Sequence, residues 1–276
     1  MFKEMRSEPI YFERYLDYDR EKLIKASELR RKVLQSIRHD KNGFDNCFEY
    51  YTLLCEFIHR DTKMKNNILF IWNDNNSTCF QFEKLHVLEL LSHWAHDLAI
   101  DKGPKEAKQW FSKAVSYELE AINTIRVYNW MDPSNTILPI MQDRYHLAKA
   151  LIYASDFYFN MYTFKEVLFP VKKSYQLIEL ASRIWKKMDY EQMKVRHALT
   201  LKHMAEELQD EQCGERVALI QKALQLYEND DLKKLYNLWR QQNESVYYNT
   251  VETKLTITCL SLKESFPNLL TVAKAH

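Results

Sequence analysis

Only three glycines, Gly43, Gly103 and Gly214, stand in a chain of 276 residues. Average usage would supply several times more. Glycine gives the backbone the conformations on which tight turns, strand bulges and phosphate-cradling loops depend. A chain this poor in it is badly suited to sandwiches, barrels and doubly wound sheets. It suits long helices joined by a few punctuated turns, and an all-α fold is expected.

The apolar pattern agrees, recurring at helical spacing through most of the length. Helices are expected over 18–38, 45–59, 82–100, 105–128, 138–162, 164–188, 191–209, 215–228 and 230–247. Asp40-Lys41-Asn42-Gly43, Asp101-Lys102-Gly103-Pro104 and Asp132-Pro133-Ser134-Asn135 read as the turns between them. Gly103 is placed to end one helix and Pro104 to open the next. Pro139 falls in a first turn, and Pro170 either near the start of its helix or at a kink. The β-prone run NILFIWND, 67–74, is the best strand candidate. Beyond Thr253 the pattern decays, so 255–262 reads as extended and the tail as loosely packed.

No Gly/Ser/Pro linker divides the chain, and its helix pairs repeat without a strict period of about 34 residues. The expectation is one curved, solenoid-like domain over 1–252 with an extension at 253–276. A net charge of +1 offers no bulk attraction to nucleic acid or to an acidic membrane. Five cysteines without a CxxC pair suggest reduced thiols rather than a disulfide framework. The charged start and the lack of an apolar run of about 18 residues lead to the expectation of a cytoplasmic protein.

Few residues argue for catalysis. The shortage of glycine leaves no P-loop, dinucleotide fingerprint or G-x-S-x-G elbow, and no cofactor is expected. His93 and His96 share a helix face with Asp97 beside them, the one grouping on which a metal-dependent enzyme could be built. Ordinary helix histidines are the simpler reading, since the H-E-x-x-H arrangement is missing.

The aromatic residues are more telling. Phe157, Tyr158, Phe159, Tyr162, Phe164 and Phe169 crowd one region. Consecutive helical residues lie about 100° apart, so one face cannot take them all. Either the helix is sandwiched between two neighbours, or part of the cluster forms an exposed patch of the kind that binds another protein.

Several stretches, in order, resemble the Bro domain family. They are Glu28-Leu29-Arg30-Arg31, then Tyr50-Tyr51-Thr52-Leu53-Leu54-Cys55, then ILFIWND at 68–74, then Phe82-Glu83-Lys84-Leu85-His86-Val87-Leu88. Ala107-Lys108-Gln109-Trp110, the run LIYASDFYF at 151–159, Gln212-Cys213-Gly214-Glu215 and Asn243-Glu244-Ser245-Val246-Tyr247-Tyr248 continue the likeness. Each piece is short, and their shared order carries the resemblance, roughly from Lys22 to Glu252.

The resemblance implies a helical domain with a tetratricopeptide-like core and at most a small β-sheet. Its implied function is that of a non-enzymatic adaptor binding the C-terminal amphipathic helix of an ESCRT-III subunit in endosomal sorting. Membrane contact would be indirect, through the partner, with the protein peripheral on endosomes. The family's apolar patch falls here on Tyr158 and Phe169, its basic position on Lys108, and a further apolar position on Lys173. Phe157 and Tyr162 complete the implied partner-binding set. On this reading Tyr158→Asp leaves the fold intact and abolishes binding. Little chain precedes the first helix, so the sheet with which the family opens must be reduced.

Overall fold

The computed structural model describes residues 9–36, 40–59, 63–64, 68–72, 75–100, 102–128, 138–164, 170–185, 190–251, 266 and 269. The chain forms two compact units, Met1–His146 and Leu147–His276. In the first, α1 (Arg20–Gln35), α2 (Lys41–His59), α3 (Phe80–Ile100) and α4 (Pro104–Tyr128) each pack on the next. Helix α5 (Asp143–Phe164) begins there and continues into the second unit, where α6 (Pro170–Ile184), α7 (Tyr190–Glu206), α8 (Cys213–Leu226) and α9 (Asp230–Gln242) follow. The all-α expectation holds.

Among the described residues the β content is two short antiparallel ladders. Strand β1 (Leu16–Asp17) pairs with β2 (Lys63–Met64), with Leu16 opposite Met64. Strand β3 (Phe70–Trp72) pairs with β4 (Asn75–Ser77), with Phe70 opposite Ser77. The expected strand is thus present but shorter, and it pairs with the residues that immediately follow it.

Several boundaries moved for identifiable reasons. Asp40 to Gly43 is not a turn before α2 but its start. The Asp40 carboxylate accepts the Gly43 N–H at 2.7 Å and its carbonyl accepts the Phe44 N–H at 3.1 Å. This satisfies orphan donors of the first turn, where a glycine is tolerated. Pro139 opens a separate 3-10 turn, Pro139–Met141, and α5 starts only at Asp143. Pro170 is the first residue of α6, where its missing N–H costs no helical bond. The last expected helix ends at Gln242 and widens into a π turn, Asn243–Tyr247, closed by Tyr248 at φ 53°. Gly214 is demanded by close approach, since a Cβ there would lie 2.6 Å from the Thr250 carbonyl oxygen. The expected extended stretch at 255–262 lies outside the described residues.

The first unit is organised around a buried carboxylate. Glu83, on α3, is fully buried. It accepts Arg30 Nε from α1 at 2.8 Å, the Tyr50 hydroxyl from α2 at 2.8 Å, and the Trp72 indole N–H from β3. Arg30 is 1% exposed. Burial works against its charge, but Glu83 and Tyr50 beside it hold its pKa above the usual value. Burial next to the same carboxylate pushes the Tyr50 hydroxyl well up, keeping it a donor. A second buried carboxylate, Glu118 on α4, accepts the Ser92 hydroxyl and lies 2.6 Å from His146 Nδ1, while His146 Nε2 lies 2.7 Å from the Ile140 carbonyl oxygen.

Two histidines are held neutral. Burial lowers His86, stacked 4.9 Å above Trp72, to about 4, and likewise lowers His197, beside Tyr175, to about 4.

Glu83→Ala leaves the Arg30 guanidinium buried and uncompensated. Urea unfolding is expected to show a loss of about 3–5 kcal/mol. For His86 and His197 the unfolded chain takes up protons first as pH falls from 6.5 towards 4, so their contribution is complete above pH 6.5 and shrinks through that window. The thermal midpoint is expected to fall between pH 7 and pH 5, and His86→Phe to make the fall shallower. A pH-independent midpoint over that range contradicts the assignment.

Candidate functional site

From Leu147 to Ser155 only Lys149 breaks the run of buried residues, so this part of α5 is enclosed nearly all round. Small side chains permit the close approach: Ala148, Ala150, Ala154 and Ser155 are all 0% exposed. On the α6 side the Ser155 hydroxyl donates to the Ser174 carbonyl at 3.0 Å and lies 2.7 Å from the Ser174 hydroxyl. On the α7 side Arg196 Nη1 reaches both oxygens of Asp156, at 2.8 and 2.7 Å. These contacts set the register of the three helices.

That register decides where the aromatic cluster points. Leu147, Leu151, Ala154, Tyr158 and Met161 follow one buried stripe. Tyr158 is 0% and Phe157 2% exposed, with their ring centroids 5.1 Å apart. Lys173 precedes the Ser174 contact in α6, and its Nζ lies 5.3 Å from the Tyr158 centroid, within cation–π range. Phe266 stands edge-on to both rings. Phe159, one residue round the helix from Tyr158, is only half-buried and meets the His203 ring at 5.1 Å.

The expected binding residues are therefore distributed as follows. Phe157, Tyr158 and Lys173 form one cluster in the second unit. Tyr162 lies in α5, but its side chain is outside those described, and Phe169 is outside the described residues altogether. Lys108 is exposed on α4, in the first unit. One expectation needs correcting. Tyr158→Asp cannot leave the fold untouched, because it would put a carboxylate at a fully buried position among aromatic rings. The tail is also not loosely packed throughout, since Phe266 and Leu269 are buried.

Phe159 is named from the sequence only as one of the aromatic cluster, although helical phase sets it about 100° away from the Leu147–Leu151–Tyr158 stripe. Phe266 escaped the sequence reading and carried no local signal at all.

In the first unit, His93, His96 and Asp97 do lie together. Asp97 takes both imidazoles, at 3.5 Å from His93 Nε2 and 3.4 Å from His96 Nδ1. The three are engaged with one another rather than converging on a shared point. No group of three or more His, Cys, Asp or Glu residues among those described is placed to hold a metal ion.

No family model matches this sequence, and no curated protein matches it. Among solved structures the fold is similar to that of ALIX, crystallised in complex with the SIVmac239 PYKEVTEDL late domain. The likeness has a TM-score of 0.61 at 13% sequence identity and covers 95% of this chain. It covers 49% of the ALIX chain, so this chain spans about half of that length. The chain thus has an ALIX-like helical fold.

Proposed function

We propose that this chain is a non-enzymatic adaptor whose 1–252 region works as a Bro-like domain. Its partner is the C-terminal amphipathic helix of an ESCRT-III subunit, engaged in endosomal sorting. The observation that carries the reading is the pairing of the Phe157–Tyr158 rings with the Lys173 ammonium over Tyr158. Apolar anchors bordered by a cation suit an amphipathic helix laid into a groove, with acidic residues on its flank. The ALIX-like fold supports the same reading, and ALIX was crystallised in complex with the PYKEVTEDL late domain.

The family resemblance adds Lys108, Tyr162 and Phe169 to the proposed partner-binding residues. Among the described residues no helix is long and apolar enough to cross a membrane. Membrane contact would come through the partner, placing the protein in the cytoplasm and, when bound, on endosomes.

The test is a fluorescence-polarisation titration of a labelled ESCRT-III C-terminal helix. Saturable binding in the micromolar range, about −8 kcal/mol, is expected. Lys173→Glu is expected to weaken it at least tenfold, or about 1.4 kcal/mol, while the cooperative unfolding transition persists. Absence of binding by the well-folded chain would turn the reading to the same scaffold serving a different protein partner.

A further inference from the structure

The aromatic pair on α5 already has an apolar occupant, and it comes from this chain. Phe266 is 7% exposed and Leu269 1%. Phe266 meets Phe157 edge to face, with centroids 5.4 Å apart and planes at 85°, and meets Tyr158 at 6.1 Å and 79°. The rings nominated for a partner's apolar anchors are thus the rings that Phe266 covers.

Leu269 is buried as well. Phe266 and Leu269 are three residues apart in sequence, the i, i+3 spacing at which an amphipathic helix presents its anchors to a groove. A separate cluster joins Leu201, Ile220, Leu232 and Trp239. Helix α5 is tied to α6 through Ser155 and Ser174 and to α7 through Asp156 and Arg196.

We propose that the Phe157–Tyr158 pair is a ligand site whose resident ligand is this chain's own Phe266. A partner's amphipathic helix reaches the site by displacing Phe266. The identity of that partner rests on the function proposed above, whereas the occupancy by the tail does not. The resting chain is then partly self-blocked, and anything that draws Phe266 away raises its affinity for the partner.

The experiment uses the full-length chain and its Phe266→Ala/Leu269→Ala variant. Two fluorescein-labelled probes are titrated into each: a synthetic peptide of residues 262–276, and an ESCRT-III C-terminal helix. The variant is expected to keep a single cooperative thermal transition. It is expected to bind the 262–276 peptide saturably and at least tenfold more tightly than the wild-type chain does. It is also expected to bind the ESCRT-III helix at least tenfold more tightly.

Loss of the cooperative transition in the variant would make the segment core and overturn the proposal. So would the absence of saturable binding of the 262–276 peptide. Equal binding of the ESCRT-III helix by both chains would overturn displacement while leaving the adaptor function in place. Binding of the 262–276 peptide without any binding of the ESCRT-III helix would uphold the self-occupied site and sink the partner instead.

Discussion

A single buried carboxylate holds the first unit in register. Glu83 gathers a guanidinium from α1, a phenol from α2 and an indole from β3. A charge in the interior is tolerable only when it is paired and its lone pairs are filled, and here three donors from three elements do both. Moving any one of these elements would strand a buried polar group, so the network specifies the arrangement more than it adds net stability. The stacking of His86 on Trp72 extends the same cluster with a ring that stays neutral because it is buried.

The second unit is organised differently. Its axis is α5, enclosed because small residues let neighbours approach and because Ser155 and Asp156 tie it to α6 and α7. Close approach of this kind leaves little freedom in helical phase. Tyr158 is therefore driven inward, Phe159 is left half-exposed, and the Lys173 ammonium is brought over the Tyr158 ring. The proposed self-blocking follows from that phase, since it sets the Phe157 and Tyr158 rings where Phe266 meets both edge to face.

Much of the helical framework was legible, because amphipathic spacing and the proline and glycine punctuation act locally. Asp40 to Gly43 was misread because a helix-capping aspartate and a turn share the same residue types, and only the hydrogen bonds to Asp40 distinguish them. The motif stretches around Arg30, Tyr50, Trp72 and Glu83 were visible as collinear words, whereas their convergence on one carboxylate was not, because it depends on packing between elements far apart in sequence. At the α5 cluster the crowding of aromatics was plain, but counting them hid their phase. The buried stripe through Leu147, Leu151 and Tyr158 separates Tyr158 from Phe159, and that distinction was available from the spacing alone. The contact with Phe266 was not, because nothing near that residue marks it as part of a core.

Fold and site together describe an ALIX-like helical fold with an aromatic pair beside a cation, covered by Phe266 of the same chain. The most direct measurement of that claim is amide hydrogen exchange on the full chain, with and without a saturating ESCRT-III C-terminal helix. The expected result is added protection at amides around Tyr158 and Lys173 together with lost protection around Phe266. Protection confined to the first unit, or a partner-bound chain in which the amides around Tyr158 exchange as before, would contradict it.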